Sequence, residues 1–528
     1  MVWRERTAVI QLLAWAIGAI ALAVLVGFSP DGTRRMLANS ALLAAGATAI
    51  AWPVGTLLAV LLVKVELPGR RAAAVLVGML LLLPLLVQLA GWDAALGKLG
   101  WLTLVAASPD RAWLDGMTGA IFVHGVAGVP WVTLIVGLGL LQVDARQEEA
   151  ARLEASPLVV LLRVTLRQCG AFLAAGALWV VVISATEMTV TNIFLIAPGS
   201  ATYTEELYLR LALRGDAGEA ALGVLPGVAG LAVLVGGVLL VGSAAAGRVV
   251  VRRPAANAWP AGRFRWPLTV LLWSVVFGLV VPPIVSLIVK AGFVVREVEG
   301  ERIRSWSMVK SVQEVAAAPA AFAGEFGWTW LIAALAATLA LAVSIALAWP
   351  ARRGGWRSWP AIVATVACAV IPAPLVGLAI VALLNRRWPP LEYLYNYTVL
   401  APVLAQAVRA FPLTMLLAWH SLATVSDEVL AAAALDGAGS WQTLWRIALP
   451  QRRAALAGAW IAGLAVAAGD LAWSLLVLPP GLDTIQRRVF GLVHSGVEEQ
   501  VASICLVSLL AYGVLAAVAW RLVAPRAV

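Results

Sequence analysis

Apolar runs of about 20 residues recur along the whole chain, and each leaves its backbone one economical fate. A helix rises about 1.5 Å per residue and bonds its own N–H and C=O groups, so roughly 20 apolar residues cross a ~30 Å hydrocarbon core. Twelve stretches qualify, near 8–28, 38–63, 72–92, 118–141, 170–196, 220–246, 267–290, 328–350, 358–384, 396–422, 455–478 and 500–522. The third and sixth are the ones expected to be shifted or split. Composition agrees, since 62% of the 528 residues are hydrophobic and 12% charged, with a mean hydropathy of +0.92. A soluble chain needs far less to fill its core. Arg4 and Arg6 precede a first run that reaches Phe28 with no A-x-A cleavage site, so that run reads as an uncleaved span and not as a signal peptide.

The formal net charge of +10 does not mark a nucleic-acid binder, because the basic residues are scattered between apolar runs instead of lining one stripe. They set the orientation. Lys64, Arg70 and Arg71, then Arg248, Arg252, Arg253, Arg263 and Arg265, then Arg352, Arg353 and Arg357 mark turns expected in the cytoplasm, together with both termini. Cys169, Cys368 and Cys505 are far apart in or beside apolar runs and suggest neither disulfides nor a metal cluster. His124, His420 and His494 lack metal-ligand spacing. No acid, base and nucleophile converge as an enzyme requires.

The chain is duplicated. Glu148–Gln168 (EEAARLEASPLVVLLRVTLRQ) parallels Ala431–Gln451 (AAAALDGAGSWQTLWRIALPQ), each after the fourth span of its half. Ile183–Thr202 parallels Ala465–Thr484, pairing Glu187 with Asp470, Pro198-Gly199 with Pro480-Gly481, and Thr202 with Thr484. The separation stays within a residue of 283. Such self-similarity fixes the architecture before any motif does. The expected divisions are a first span at 1–37, a first repeat at 38–246, a basic linker at 247–266 broken by Pro254 and Pro260, a seventh span with an external loop at 267–327, a second repeat at 328–522 and a tail at 523–528.

The loop after spans four and ten has a shape that physics dictates. Ala431–Leu435 favours helix, Gly437 and Gly439 permit the turn that ends it, and Pro450 suits the first turn of the next span. The product is a short helix outside the bilayer, angled against the following span and open to a soluble partner.

These loops resemble the cytoplasmic E-A-A motif of the inner-membrane permeases of binding-protein-dependent ABC importers. In the second copy Leu435, Asp436, Gly437, Ile447, Leu449 and Pro450 stand at the family's spacing, while Ala431 and Ala432, with Ala433, replace its opening. The first copy keeps Glu149-Ala150-Ala151, followed by Leu153; Ala155 replaces the glycine, Val164 and Leu166 remain, and Arg167 replaces the proline. The resemblance implies two MetI-like permease domains of the type I importer fold in a bacterial inner-membrane protein. It also implies two ATP-binding subunits docked on the cytoplasmic side and a substrate-binding protein outside, meeting loops such as Ala291–Gly327 unless that loop is merely solvated. ATP and Mg²⁺ would belong to the partner, with no cofactor in this chain. The nearest approach to a nucleotide loop, Gly91–Leu99, has the wrong glycine spacing and lacks the final Ser or Thr.

Within the spans, Glu187 and Asp470 recur at equivalent positions, and Arg409 lies three residues before Pro412. Ionisable groups in a span face the bundle interior or a water-filled cavity. Arg409 is expected to pair with Asp470 or Glu187, either as a structural pair between the halves or as part of the passage. Asp470–Leu506 resembles the iron(III) group most, which implies ferric iron as cargo, with thiamine, polyamine, molybdate or phosphonate open. An ion-coupled secondary transporter also has twelve spans in two repeats, but has no reason to keep a matched helical loop.

Overall fold

In the computed structural model the described residues are 31–106, 112–195, 199–209, Ala232, 258–298 and 301–523. The expected first and sixth spans, and the linker as far as residue 257, lie outside them. The described chain is α-helical apart from two short pieces of sheet. Six of its helices are long and apolar enough to cross a membrane, or up to nine if each bent pair counts as one span. These residues fall into two units, one within Met1–Ala318 and Leu492–Ser508, the other within Pro319–Gly491 and Leu509–Val528.

The first unit is built on α1 (Asp31–Val63). The chain then forms β1 (Val65–Glu66), α2 (Arg70–Leu82), α3 (Leu85–Leu96) and α4 (Gly116–Leu141). In lipid the apolar surroundings give helices little reason to associate, so close approach through small residues holds them together. A Cβ on Gly55 of α1 would stand 2.6 Å from Val132 of α4, and one on Gly125 of α4 would stand 2.8 Å from Ile50. Next come α5 (Ala145–Glu154), α6 (Gly170–Thr186) and α7 (Tyr203–Leu209).

After β2 (Trp259–Pro260), which pairs in parallel with β1, the expected seventh span forms α8 (Arg265–Ala291) and packs against α2 and α3 in this unit. Trp101 donates to Ser286 Oγ at 3.0 Å, and a Cβ on Gly91 would stand 2.6 Å from Pro283. The expected external loop is an antiparallel hairpin, β3 (Phe293–Val298) with β4 (Glu301–Trp306), leading into α9 (Met308–Ala321). Lys290 of α8 pairs with Glu498, and Lys310 of α9 pairs with Glu499 at 2.7 Å.

The second unit repeats this plan with α10 (Ala323–Ala351), α11 (Trp359–Val370), α12 (Ala373–Leu384), α13 (Leu400–Ala423), α14 (Asp427–Leu435), α15 (Leu449–Gly469), α16 (Ile485–Ser495) and α17 (Glu498–Val523), whose first residues belong to the first unit. Ala333, Ala336, Ala337 and Ala340 form the buried stripe of α10. Ser344 meets Thr414 of α13 at 3.0 Å, and a Cβ on Gly463 of α15 would stand 2.6 Å from the same threonine.

The duplication extends to the details of the backbone. The third and ninth expected spans are both bent, by 103° between α2 and α3 and by 106° between α11 and α12. A proline forces each bend, because the residue before proline is pushed out of the helical region. Leu83, before Pro84, has ψ 128°, and Ile371, before Pro372, has ψ 124°. Gly199 and Gly481 adopt φ 81° and 80°, left-handed values that glycine accepts without strain. Tyr203 N–H donates to Ser40 Oγ and Ile485 N–H to Thr329 Oγ1, both at 2.9 Å. Thr204 Oγ1 donates to the Ala185 carbonyl, and Gln486 Nε2 to the carbonyl of Ala468.

The fifth and eleventh spans, expected to run unbroken over 170–196 and 455–478, end instead at Thr186 and Gly469. At the first break the Glu187 carboxylate accepts from the N–H groups of Thr189 and Val190, taking the place of helical carbonyls. Asp470 is extended, with φ −105° and ψ 126°, and turns follow it.

Gly55→Leu is expected to lower the thermal midpoint in detergent and the folded yield, since overpacking a close contact costs about 1–3 kcal/mol. Gly278→Leu on α8, where a Cβ meets nothing within 4 Å, should leave both unchanged. Equal behaviour of the two variants would contradict the packing of α1 on α4.

Candidate functional site

The loop between α4 and α6 starts at Asp144, whose carboxylate caps α5 through the Arg146 N–H at 3.1 Å. Glu148, one turn into the helix, points inward and is buried. One of its oxygens accepts from Lys64 Nζ at 2.8 Å and the other from Thr165 Oγ1 at 2.7 Å. Ala155 is extended, with φ −140° and ψ 156°, which ends α5 without a glycine. A short helix, Pro157–Val160, and a π-turn, Leu161–Thr165, then lead into α6 across a bend of 72°.

The second loop reaches a similar shape by other means. Ser426 caps α14 through the Val429 N–H. Gly437, at φ 76°, lets the Ala438 N–H return to the carbonyl of Ala433 at 2.9 Å, the six-to-one bond of a Schellman ending. The short helix Ser440–Thr443 and a π-turn, Leu444–Ala448, follow, and Pro450 sits in the first turn of α15. The two π-turns are 283 residues apart. Widened turns of this kind concentrate at functional positions.

Both loops carry large apolar side chains on their outer surface at matching positions. Leu153 is 90% exposed and Leu435 89%; Leu158 matches Trp441, and Leu162 matches Trp445, all exposed. Single exposed apolar residues are ordinary; a set that recurs at matching positions of both loops is less so. Of the residues the motif singles out, Glu149, Ala150, Ala431, Ala432, Asp436 and Pro450 are also exposed, while Ala151, Ala155, Leu166, Ile447 and Leu449 are half-buried. The tryptophans could have been found as aromatic residues lying outside any span. Lys64, Glu148 and Thr165 could not, because Lys64 reads only as a topological charge and Glu148 as the neighbour of the motif glutamate.

The in-span polar groups separate into one set per unit. Arg409 Nε bonds Asp470 Oδ2 at 2.7 Å. The pair lies inside the second unit and does not join the halves, which corrects that expectation; Asp470 begins the break that follows α15, on which α13 packs. Gln406 Nε2 also donates to the Asp470 carbonyl at 2.7 Å. In the first unit His124 Nε2 stands 3.6 Å from Glu187 Oε2, and both residues are buried. His124 lies six residues before Pro130 and Gln406 six before Pro412. The two are therefore repeat partners whose kinship a change of residue type conceals.

Beyond these breaks the repeats diverge in charge. Glu205 and Glu206 on α7 stand where α16 carries Arg487 and Arg488. Arg488 bonds Glu325 through two nitrogens, at 2.7 and 2.9 Å. Burial pushes the Glu205 carboxyl up to about 7, against the opposing pull of a hydrogen bond from the Thr202 backbone.

Residues 340–527 match the family of binding-protein-dependent transport system inner membrane components. This stretch covers most of the second repeat and less than half of the chain. YvgM of Bacillus subtilis, named as a permease protein of a molybdenum transport system, is 26% identical over 137 residues, which cover 24% of this chain and 60% of that protein. ModB of Haemophilus influenzae, named a molybdenum transport system permease protein, is 25% identical over 152 residues, covering 27% and 66%. The aligned part thus spans less than two thirds of each relative.

A carboxyl raised by burial keeps its contribution to stability below the ordinary carboxylate range and loses it as the pH climbs to about 7. Glu205→Gln is therefore expected to raise the thermal midpoint at pH 8 and leave it nearly unchanged at pH 5. The same gain at both pH values would contradict a burial origin.

Proposed function

We propose that the chain is the membrane-spanning permease of an ATP-binding cassette importer and supplies both halves of the translocation pathway. The observation that carries this reading is the pair of matched apolar ridges, each running into a π-turn that leads toward a long helix, directly in the second loop and across a bend of 72° in the first. A ridge of this kind suits the cleft of a soluble subunit, and two ridges call for two such subunits. The family match over 340–527 supports the same role. ATP and Mg²⁺ then belong to the partner: Gly91–Leu99 forms the end of α3 and the turn after it, not a loop able to cradle phosphate. The resulting assembly sits in a bacterial inner membrane, with the ATP-binding subunits in the cytoplasm and a substrate-binding protein on the outer side. An ion-coupled carrier would leave the ridges without a purpose.

The cargo favoured is an oxyanion such as molybdate, because both relatives are named for molybdenum transport. Ferric iron, implied by the likeness of Asp470–Leu506 to iron permeases, is the competing cargo. Glu187, Asp470 and Arg409 are the pathway residues in this reading. A permanent anion site at Arg409 would require Asp470 to let go of it, so the pair serves better as a gate component than as a standing cargo site.

Co-purification with a co-expressed ATP-binding subunit of the importer class tests the docking. Trp441→Asp and Leu153→Asp should each reduce the amount of subunit recovered, while the chain itself stays in the membrane. Gly437→Asp, forced into a left-handed turn that costs a side chain about 1–2 kcal/mol, should abolish uptake with the chain still inserted. Vesicles given the purified binding protein should accumulate molybdate and not ferric iron. The reverse preference overturns the cargo, and uptake without any ATP-binding subunit overturns the role.

A further inference from the structure

A side chain ties each loop to the end of the first described long helix of its unit, and the two ties differ in kind. Lys64, the residue after α1, bonds Glu148 of α5 at 2.8 Å, with the two side chains only 3% and 2% exposed. The other oxygen of Glu148 is held by Thr165 of the π-turn. Three elements thus meet at one carboxylate. A third brace comes from the linker: the Trp259 N–H donates to the Lys64 carbonyl at 2.7 Å, and the Trp259 ring lies 5.3 Å beneath the Arg152 guanidinium of α5.

In the second unit Trp349, near the end of α10, donates its indole N–H to Ser440 Oγ at 2.9 Å. Ala448 takes the place of Thr165, and the acids of α14, Asp427 and Glu428, are exposed. This hydrogen bond is neutral, and the attraction between Arg352, just after α10, and the exposed Asp427 of α14 is not shut off from water; the loop turns on the left-handed Gly437.

Burying two charges carries a desolvation penalty that their attraction repays only with good geometry, and apolar residues of similar size often do as well or better. Stability therefore does not account for the pair. A fully bonded buried carboxylate does fix direction, because any rotation or slide of α5 against α1 would leave a charge unpaired in a site shut off from water.

We propose that Glu148 is the positioning residue of the first loop, passing displacement of α5 through Lys64 to α1, so that the first loop is a rigid lever and the second a compliant one. The proposal rests on the docking reading above.

The experiment uses the whole chain with its ATP-binding subunit and binding protein in proteoliposomes, with molybdate as the probe and ATP hydrolysis measured in the same vesicles. Glu148→Gln should keep the ATP-binding subunit bound but lower uptake per ATP hydrolysed about tenfold, within the range of typical coupling free energies. The exchanged pair Lys64→Glu with Glu148→Lys should recover most of that loss. Ser440→Ala should change the ratio less than about twofold, the effect of one neutral hydrogen bond. Unchanged uptake per ATP in Glu148→Gln overturns the proposal, and so does a variant that only lowers the folded yield while the recovered protein couples normally. Thr165→Val, which keeps the ion pair, tests the same link with less risk to folding and should show a smaller fall of the same kind; no fall there limits the link to Lys64 and contradicts the three-way junction. Failure of the wild-type chain to bind any ATP-binding subunit sinks the docking reading as well, whereas normal binding and coupling in wild type with equal coupling in Glu148→Gln sinks the lever alone.

Discussion

Hydrocarbon offers no partner to a bare N–H or C=O, and the breaks within the spans are placed to answer that constraint. Where a helix continues, it satisfies itself. Where it stops, something else must take over, and the substitutes are few. Glu187 turns its own carboxylate onto the two N–H groups beyond the break, and Gln406 reaches across to the Asp470 carbonyl at the matching break. Pro84 and Pro372 bend their spans at the one residue type that has no N–H to leave unbonded. The π-turn of the second loop keeps the chain helically bonded into α15, whereas the first is followed by a short helix and a bend of 72° before α6.

This explains why the duplication survives in geometry after fading in sequence. Tyr203 and Ile485 share no side-chain chemistry, yet each gives its backbone N–H to a hydroxyl of the first described helix of its unit. Thr204 and Gln486 differ in size and group, yet each caps a carbonyl at the end of the preceding span. The constraint acts on the bond and tolerates any residue able to make it. His124 and Gln406 belong to the same class: both are polar, both lie six residues before a proline, and both face the acid at a break.

Much of the architecture was legible because apolar length, proline and glycine act locally. The turn at Gly437 and the repeat spacing follow from near neighbours along the chain; the bends before Pro84 and Pro372 are equally local, although the expectation of a shifted or split third span does not single out Pro84. What sequence reading missed depends on contacts between distant residues. Glu148 and Glu149 look alike in the sequence, and only the approach of Lys64, 84 residues away, makes one a buried anchor and the other a surface group. The partner of Arg409 was left between two acids because repeat symmetry makes Asp470 and Glu187 equal candidates; packing of α13 near the end of α15 decides it. The clustering of α8 with the first unit was likewise hidden, since a span reads the same whichever bundle receives it.

The two loops show how one shape can be kept by opposite means. The second keeps the glycine and proline that shape a loop through its backbone, and it lies in the stretch that matches the family. The first has lost both residues, and Ala155 simply runs extended out of α5. A loop without a backbone device needs side chains to hold its angle, and there the buried Lys64, Glu148 and Thr165 are found, with the linker tryptophan laid against Arg152. Charge inside replaces glycine at the turn. The exchange alters the kind of support as well as the sequence: the second loop is held through its backbone turn, the first through a buried pair that would leave a charge unpaired if α5 shifted against α1.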